Sequence, residues 1–189
     1  MDIPESFSRL GHASDLLVLI REKRADPATT DNDRELRSQS CLSSIVRQKK
    51  MIEGWHNDDY LVLFEDQEEA IRKTEQYGVR QYLPGYTVVG LRGWDDFILS
   101  DSKRQFFTIP TVPLEPNHLE PFSFQVDLAA IKPDERFTKK VKWYVKPILF
   151  GGDPSAKENM AWISFEQHAD LVRWWSKLYR DTVAKDQTA

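Results

Sequence analysis

The chain has 189 residues, of which 40% are hydrophobic and 12% aromatic. A chain of this length and composition can bury a core as one domain, with or without a C-terminal elaboration, so global disorder is excluded. The formal net charge of −4 and the pI near 5.6 argue against a nucleic-acid-binding surface, which needs a basic stripe.

The sequence contains no pattern typical of a membrane-spanning, secreted or disulfide-bonded protein. No apolar run approaches the roughly 20 residues that span a bilayer. The N-terminus carries Asp2 and Glu5 and has no apolar segment typical of a secretory signal. Cys41 is the single cysteine, so an internal disulfide is impossible and the reducing cytosol is the natural compartment. We therefore predict a soluble cytoplasmic protein without membrane association.

The first fifty residues predict two helices. Ser14 can cap the first helix, which Pro27 ends. After a polar stretch, an imperfect apolar stripe from Leu36 to Ile52 predicts a second helix that ends near Gly54.

A buried strand and a helix are predicted next. The run from Tyr60 to Phe64 is apolar and follows turn-forming residues, which is typical of a strand. Glu65 or Asp66 can cap the following helix, on which Tyr77 faces inward. Gly78 stands where a glycine would end it.

Short strands dominate the middle of the chain. Their spacing predicts an antiparallel meander over 86–90, 94–99 and 105–109, and the residues between Gly90 and Gly93 are predicted to form a turn. Four prolines from Pro110 to Pro121 then favour an irregular path, so we expect the sheet to end or bend sharply there.

The last third of the chain begins ambiguously and ends in a strong helix signal. Residues 122–131 are compatible with an edge strand or a short helix, and 140–150 predicts a strand closed by a turn at 151–154. Ser164 and Gln167 form a capping box before a long amphipathic helix. Its apolar stripe is Phe165, Ala169, Val172, Trp175, Leu178 and Tyr179. Docking on the domain body is the ordinary role of such a helix, and a partner-binding face is the alternative.

Residues with metal-binding or catalytic chemistry form no recognisable motif. The four histidines are far apart, and His168 is predicted to lie on the packed side of the last helix. Asp95 and Asp96 are predicted on a strand, where adjacent side chains point to opposite faces, so we do not expect them to act as paired carboxylates. We predict no catalytic residue, no metal site and no cofactor.

Acidic residues are concentrated in the centre of the chain. The segment from Glu53 to Asp101 contains eleven acidic and four basic residues, which gives a net charge of 4 − 11 = −7. Such a field can steer a basic partner, and the alternative is a solvated surface. Trp55 and Trp94 lie within this stretch as interface anchors or as covers of the core. The predicted partner-binding residues are Trp55, Asp58, Asp59, Glu65, Asp66, Glu68, Glu69, Trp94, Asp95 and Asp96.

The order of motifs from Tyr60 to about Pro116 resembles the SUKH superfamily. The segments are Y-L-V-L-F, then Y-L-P-G-Y-T-V-V-G, G-W-D-D-F-I-L and Q-F-F-T-I-P-T-V-P-L. The matching positions are Leu83, Pro84, Gly85, Gly90, Gly93, Ile109, Pro110, Pro113 and Leu114. We assign the SUKH-like domain to residues 1–131, with a divergent N-terminal part, and a C-terminal extension packed on the same core to residues 132–189.

The resemblance implies a fold and a role. The implied fold is α+β, with a bent, mainly antiparallel sheet and flanking helices, to which the C-terminal β segment and amphipathic helix are added. Many bacterial members are non-catalytic immunity proteins of polymorphic toxin systems. We therefore expect a stoichiometric inhibitor of a cognate toxin protein, for which a basic surface would be complementary. A non-catalytic adaptor in a regulatory complex and an enzyme with dispersed site residues, such as Asp95 or His118, are the alternatives. The oligomeric state stays open.

Overall fold

A six-stranded antiparallel sheet forms the body of the protein, and the computed structural model describes residues 51–186. Each strand pairs with the next one along the chain, from β1 to β6. The strands are Met51–His56, Asp59–Phe64, Thr87–Arg92, Asp96–Ser100, Phe106–Pro110 and Glu120–Pro121. The predicted meander, β3 to β5, is confirmed, but the turn predicted over 90–93 is wrong: residues 90–92 belong to β3, because they pair with β2 and β4, and the turn covers 93–95. The helix predicted from Ser14, most of the second helix and Cys41 lie outside the described residues.

The end of the second predicted helix is wrong, because residues 51–56 form β1. This strand pairs with β2 along its whole length, from Met51 opposite Phe64 to His56 opposite Asp59. Periodicity alone placed Ile52 on a helical stripe, but pairing with a buried neighbouring strand outweighs local helix preference.

Glycine permits a bend in the middle of the sheet. The register between β3 and β4 shifts between Val88 and Gly90, and such a bulge bends the strand and increases its twist. A Cβ atom at Gly90 would lie 2.5 Å from the carbonyl oxygen of Val62 on β2, closer than side chains pack. Only glycine therefore allows the two strands to approach this closely.

Two helices follow β2 and pack beside the sheet: α1, Gln67–Gln76, and the single turn α2, Val79–Tyr82. Asp66, rather than Glu65, caps α1, with its carboxylate accepting from the Glu68 amide at 3.0 Å. Gly78 adopts the left-handed conformation after α1, as predicted. The Val88 amide of β3 donates to the Thr74 hydroxyl at 2.8 Å, which anchors α1 to the sheet.

The path after β5 is mostly irregular. β6 extends the sheet by two residues beyond the first prolines. The ambiguous segment 122–131 contains neither a strand nor an α-helix, and only a 3₁₀ turn at Leu128–Ala130. The strand predicted over 140–150 is shorter, because after Tyr144 the chain passes Pro147 into a second 3₁₀ turn at Ile148–Phe150.

A two-stranded sheet and a long helix complete the described chain. β7, Val141–Tyr144, pairs antiparallel with β8, Met160–Ile163, and α3 covers Phe165–Asp186. The predicted capping box is present, with the Ser164 amide donating to the Gln167 side chain and the Gln167 amide donating to the Ser164 hydroxyl. The α+β class, with helices beside an antiparallel sheet, is confirmed. Among residues 51–186 no helix combines the length and apolarity needed to cross a membrane.

His168 joins α3 to the rest of the core. It is fully buried, as predicted for the packed side of the helix, and its Nδ1 atom lies 2.8 Å from the Tyr77 hydroxyl. The Trp143 ring of β7 lies 5.1 Å away, edge to face. Burial, with a smaller contribution from the nearby Lys73 charge, lowers the pKa of His168 to about 3. The folded protein therefore holds a neutral imidazole.

We expect His168 to make the protein sensitive to acid. In the unfolded chain the imidazole takes up a proton below its ordinary pKa of 6.5, whereas in the folded protein it does so only near 3. The contribution of His168 to stability is therefore fully present above pH 6.5 and is lost as the pH falls toward 3, with a slope of about 1.4 kcal/mol per pH unit from this residue. Urea unfolding at several pH values should give a steeper decline for the wild type than for His168→Gln. Equal slopes would contradict the assignment.

Candidate functional site

The predicted partner-binding residues lie at opposite ends of the six-stranded sheet. Asp58 precedes β2 and Asp59 begins it, whereas Glu65 and the acids of α1 follow it. The strand spans about 17 Å between these ends, at about 3.3 Å per residue. Arg92, which ends β3, donates to the Asp59 carboxylate at 2.8 Å, so Asp95, in the following turn, and Asp96, which begins β4, lie at the Asp59 end. The structure therefore divides the predicted acidic surface in two.

The acids at the α1 end have structural roles. Asp66 caps the helix. Glu69 is only 9% exposed, and its carboxylate pairs with the Arg72 guanidinium one turn later. Glu65 and Glu68 are exposed. Because two of the four acids serve α1 itself, this end offers less free charge to a partner than the sequence indicated.

An aromatic cluster joins the two sheets at the other end. Its members are Trp55, Tyr60, Trp94, Phe137 and Trp162. Trp94 stacks on Tyr60 at 4.7 Å between ring centroids and meets Trp162 of β8 edge to face at 5.3 Å. Phe137 stacks on Trp162 at 4.7 Å. Ring pairs of this geometry stabilise a fold beyond the area they bury, so the cluster is a structural joint.

Both predicted anchor tryptophans belong to this joint. Trp94 is 8% exposed and therefore covers the core. Trp55 is half-buried, and its indole N–H donates to the Asp134 carboxylate at 3.1 Å. Hydrogen bonds from Arg136, and then from Trp55, hold the pKa of Asp134 below its usual range. Of the two alternatives for these tryptophans, the structure favours the core-covering one.

Among residues 51–186, three of the five exposed large apolar side chains lie on the two-stranded sheet and beside it, and the other two are Leu128, in a 3₁₀ turn, and Trp174, on α3. We call Tyr144, Ile148, Met160 and Trp162 the apolar surface. Met160 and Trp162 are 41% and 40% exposed, and Ile148 is 51% exposed. Tyr144 lies opposite Met160 in the β7–β8 register, so these side chains share one face. Sequence reasoning missed them, although Met160 and Trp162 alternate with Ala161 and Ile163 as outward residues of a strand do.

A cleft of about 190 Å³ opens beside the apolar surface. Its lining residues are Asp95, Asp96, Pro110, Thr111, Val112, Trp143, Tyr144, Pro147, Ile148 and Leu149. The prediction that Asp95 and Asp96 diverge on a strand is wrong in its premise, because β4 begins at Asp96 and Asp95 belongs to the preceding turn. The irregular backbone frees the pair from strand alternation, and both residues line the same cleft.

The charges around the cleft leave a negative excess. Desolvation by the surrounding protein raises the pKa of Asp95, with Lys142 opposing and Asp96 adding to the rise. Desolvation likewise raises the pKa of Asp96, which Arg92 opposes and Glu120 and Asp59 reinforce. Four carboxylates thus surround two cations, a local charge of 2 − 4 = −2. Within the described chain neither the Asp95 nor the Asp96 carboxylate has a hydrogen bond or ion pair.

Comparison of the chain with known families, proteins and structures found no match. Within residues 51–186 no group of three or more His, Cys, Asp or Glu residues has the arrangement of a metal site. The candidate site is therefore defined by its own geometry: an acidic cleft bordered by the apolar surface.

Removing the cleft charges should stabilise the protein. A carboxyl whose pKa is raised by folding favours the protonated folded form, so stability falls as the pH rises through its titration and is reduced at neutral pH. The double variant Asp95→Asn/Asp96→Asn should therefore unfold at a higher temperature at pH 7. The contrasting control is Asp101→Ala, because the Asp101 carboxylate accepts from the Lys103 and Gln105 amides and the loss of both hydrogen bonds should lower the melting temperature. A melting temperature lowered in the double variant would contradict this expectation.

The aromatic joint gives a further expectation. Phe137→Ala removes the ring that stacks on Trp162, and should reduce the free energy of unfolding by about 2 kcal/mol. Leu128→Ala is the control, because Leu128 is 46% exposed and its loss should change stability by less than about 0.5 kcal/mol. Urea unfolding followed by tryptophan fluorescence measures both, and equal effects of the two changes would count against a structural joint.

Proposed function

We propose that this chain is an immunity protein, which binds a cognate bacterial toxin domain in the cytoplasm and neutralises it stoichiometrically. The observation that carries the proposal is the apolar surface beside the acidic cleft. Contiguous exposed apolar side chains on a protein surface mark interaction sites, and binding hot spots are enriched in tryptophan and tyrosine.

The size of the cleft favours a protein partner. At about 190 Å³ it lies below the range of about 300 to 1,000 Å³ that is typical of small-molecule sites. A cleft of this size suits one side chain of a larger partner, while Met160 and Trp162 beside it supply the flat apolar contact that a protein surface can cover. The geometry thus supports protein binding better than the turnover of a small substrate.

The charge of the site supports a basic toxin surface. A toxin domain that bound phosphate-bearing substrates would need a positive surface. The carboxylates of Asp95 and Asp96 complement such a surface, and their field accelerates the encounter. The resemblance over Tyr60 to Pro116 supports the same role, because immunity proteins are frequent among bacterial members of the SUKH superfamily. Inhibition then follows from covering the toxin's active surface.

The direct test is protection of cells. We expect co-expression of the full chain to rescue bacteria from the toxin domain encoded beside it and the two proteins to co-purify in equal amounts. Met160→Glu should weaken both effects by about tenfold or more, because it places a charge in the apolar contact. Leu128→Glu is the matched control, since Leu128 is similarly exposed but lies outside the apolar surface, and it should protect like the wild type.

Two results would reject the proposal. Undiminished killing without co-purification would exclude the immunity role. Equal protection by Met160→Glu and the wild type would exclude the apolar surface as the contact. The adaptor alternative would be favoured if the chain formed a stable complex with a protein that has no toxic activity and Met160→Glu disrupted that complex.

A further inference from the structure

The cleft combines apolar walls with charged groups at one side. Pro110, Val112, Pro147 and Leu149 contribute aliphatic surface, and the indole of Trp143 is nearly buried behind them. Asp95 and Asp96 contribute the carboxylates. Lysine and arginine have the complementary shape, because each carries an aliphatic stem that packs on apolar surface and a cationic head that pairs with carboxylates.

The protein's own cations leave these carboxylates available. The Arg92 Nε atom donates to the Asp59 carboxylate at 2.8 Å. The Lys142 ammonium donates to the Tyr144 hydroxyl at 3.1 Å and lies 4.9 Å from the centroid of that ring. Both cations are thus positioned by other groups, although their charges reach the cleft. Asp95 is exposed and Asp96 is half-buried, so a cation from outside can reach two carboxylates that have no hydrogen bond or ion pair from the described residues.

We propose that the cleft takes up one basic side chain, lysine or arginine, from the partner protein, with Asp95 and Asp96 pairing its cationic head. This inference rests on the proposed function and names the contact by which the partner is recognised. The stem packs between Val112 and Pro147, and the neighbouring backbone of the partner covers Tyr144 and Ile148. Arginine should bind more tightly than lysine, because its planar guanidinium can donate to two carboxylates at once.

The experiment needs no toxin. Short peptides, each a central residue flanked by two glycines on either side and blocked at both ends, are titrated into the ¹⁵N-labelled full chain. The central residue is arginine, lysine, citrulline or glutamate, so citrulline keeps the arginine shape without the charge. We expect the arginine and lysine peptides to shift the amide signals of Thr111, Val112 and Trp143, and the citrulline and glutamate peptides to leave them in place.

Variants locate the interaction. In Asp95→Asn/Asp96→Asn the affinity for the arginine peptide should fall by about tenfold or more, since two charge-assisted hydrogen bonds are lost. Glu68→Gln is the matched control, because it removes an exposed charge at the opposite end of the sheet and should bind like the wild type. The inference is overturned by equal shifts with citrulline, by unchanged affinity in the double variant, or by no shift with either basic peptide.

These experiments distinguish a failure of the side-chain contact from a failure of the proposed immunity role. If the double variant protects cells and binds the toxin as strongly as the wild type, the immunity role stands and the side-chain contact is wrong. If the arginine peptide binds in the cleft while the neighbouring toxin is neither bound nor inhibited, the contact stands and the immunity role is wrong.

Discussion

The contact between Trp94 and its aromatic neighbours is the constraint on which the rest of the described chain depends. Trp94 belongs to the turn between β3 and β4, yet its ring reaches Tyr60 on the six-stranded sheet and Trp162 on the two-stranded one. Phe137 closes the arrangement by stacking on Trp162. Because these rings pack in mutually dependent orientations, they set where β7 and β8 lie relative to the meander. The second joint, from Tyr77 to His168, holds α3 in place.

The candidate site follows from that joint. Docking the two-stranded sheet against the β3–β4 turn brings Asp95 and Asp96 beside Tyr144 and Ile148, and the cleft lies where these segments meet. Its carboxylates have no hydrogen bond or ion pair from the described residues and their pKa values are raised by the fold, an arrangement that reduces stability at neutral pH. Features that cost stability often persist because they serve binding. The aromatic joint and the acidic cleft are therefore complementary: one supplies rigidity and the other recognition.

Local sequence signals predicted much of the fold between residues 51 and 186. The apolar run that became β2, the glycine after α1 and the capping box before α3 each act within a few residues, so the sequence alone reveals them. The strand β1 escaped prediction because its pairing with β2 decides its conformation, and the apolar pattern around Ile52 is compatible with a helix. Sequence reasoning thus succeeded where the stabilising contact is near in sequence.

The sequence by itself determined the class of the protein, its acidic character and the strands of the meander. Only the tertiary structure decided which acids and which aromatic residues form a site. Glu69 and Trp94 were predicted to bind a partner. In the structure Glu69 forms an ion pair with Arg72, and Trp94 is buried in the aromatic joint. Met160 and Trp162 were not predicted to meet a partner, yet they lie exposed on the apolar surface. The physical reason is that exposure and desolvation depend on contacts between residues distant in sequence, which composition and spacing do not encode.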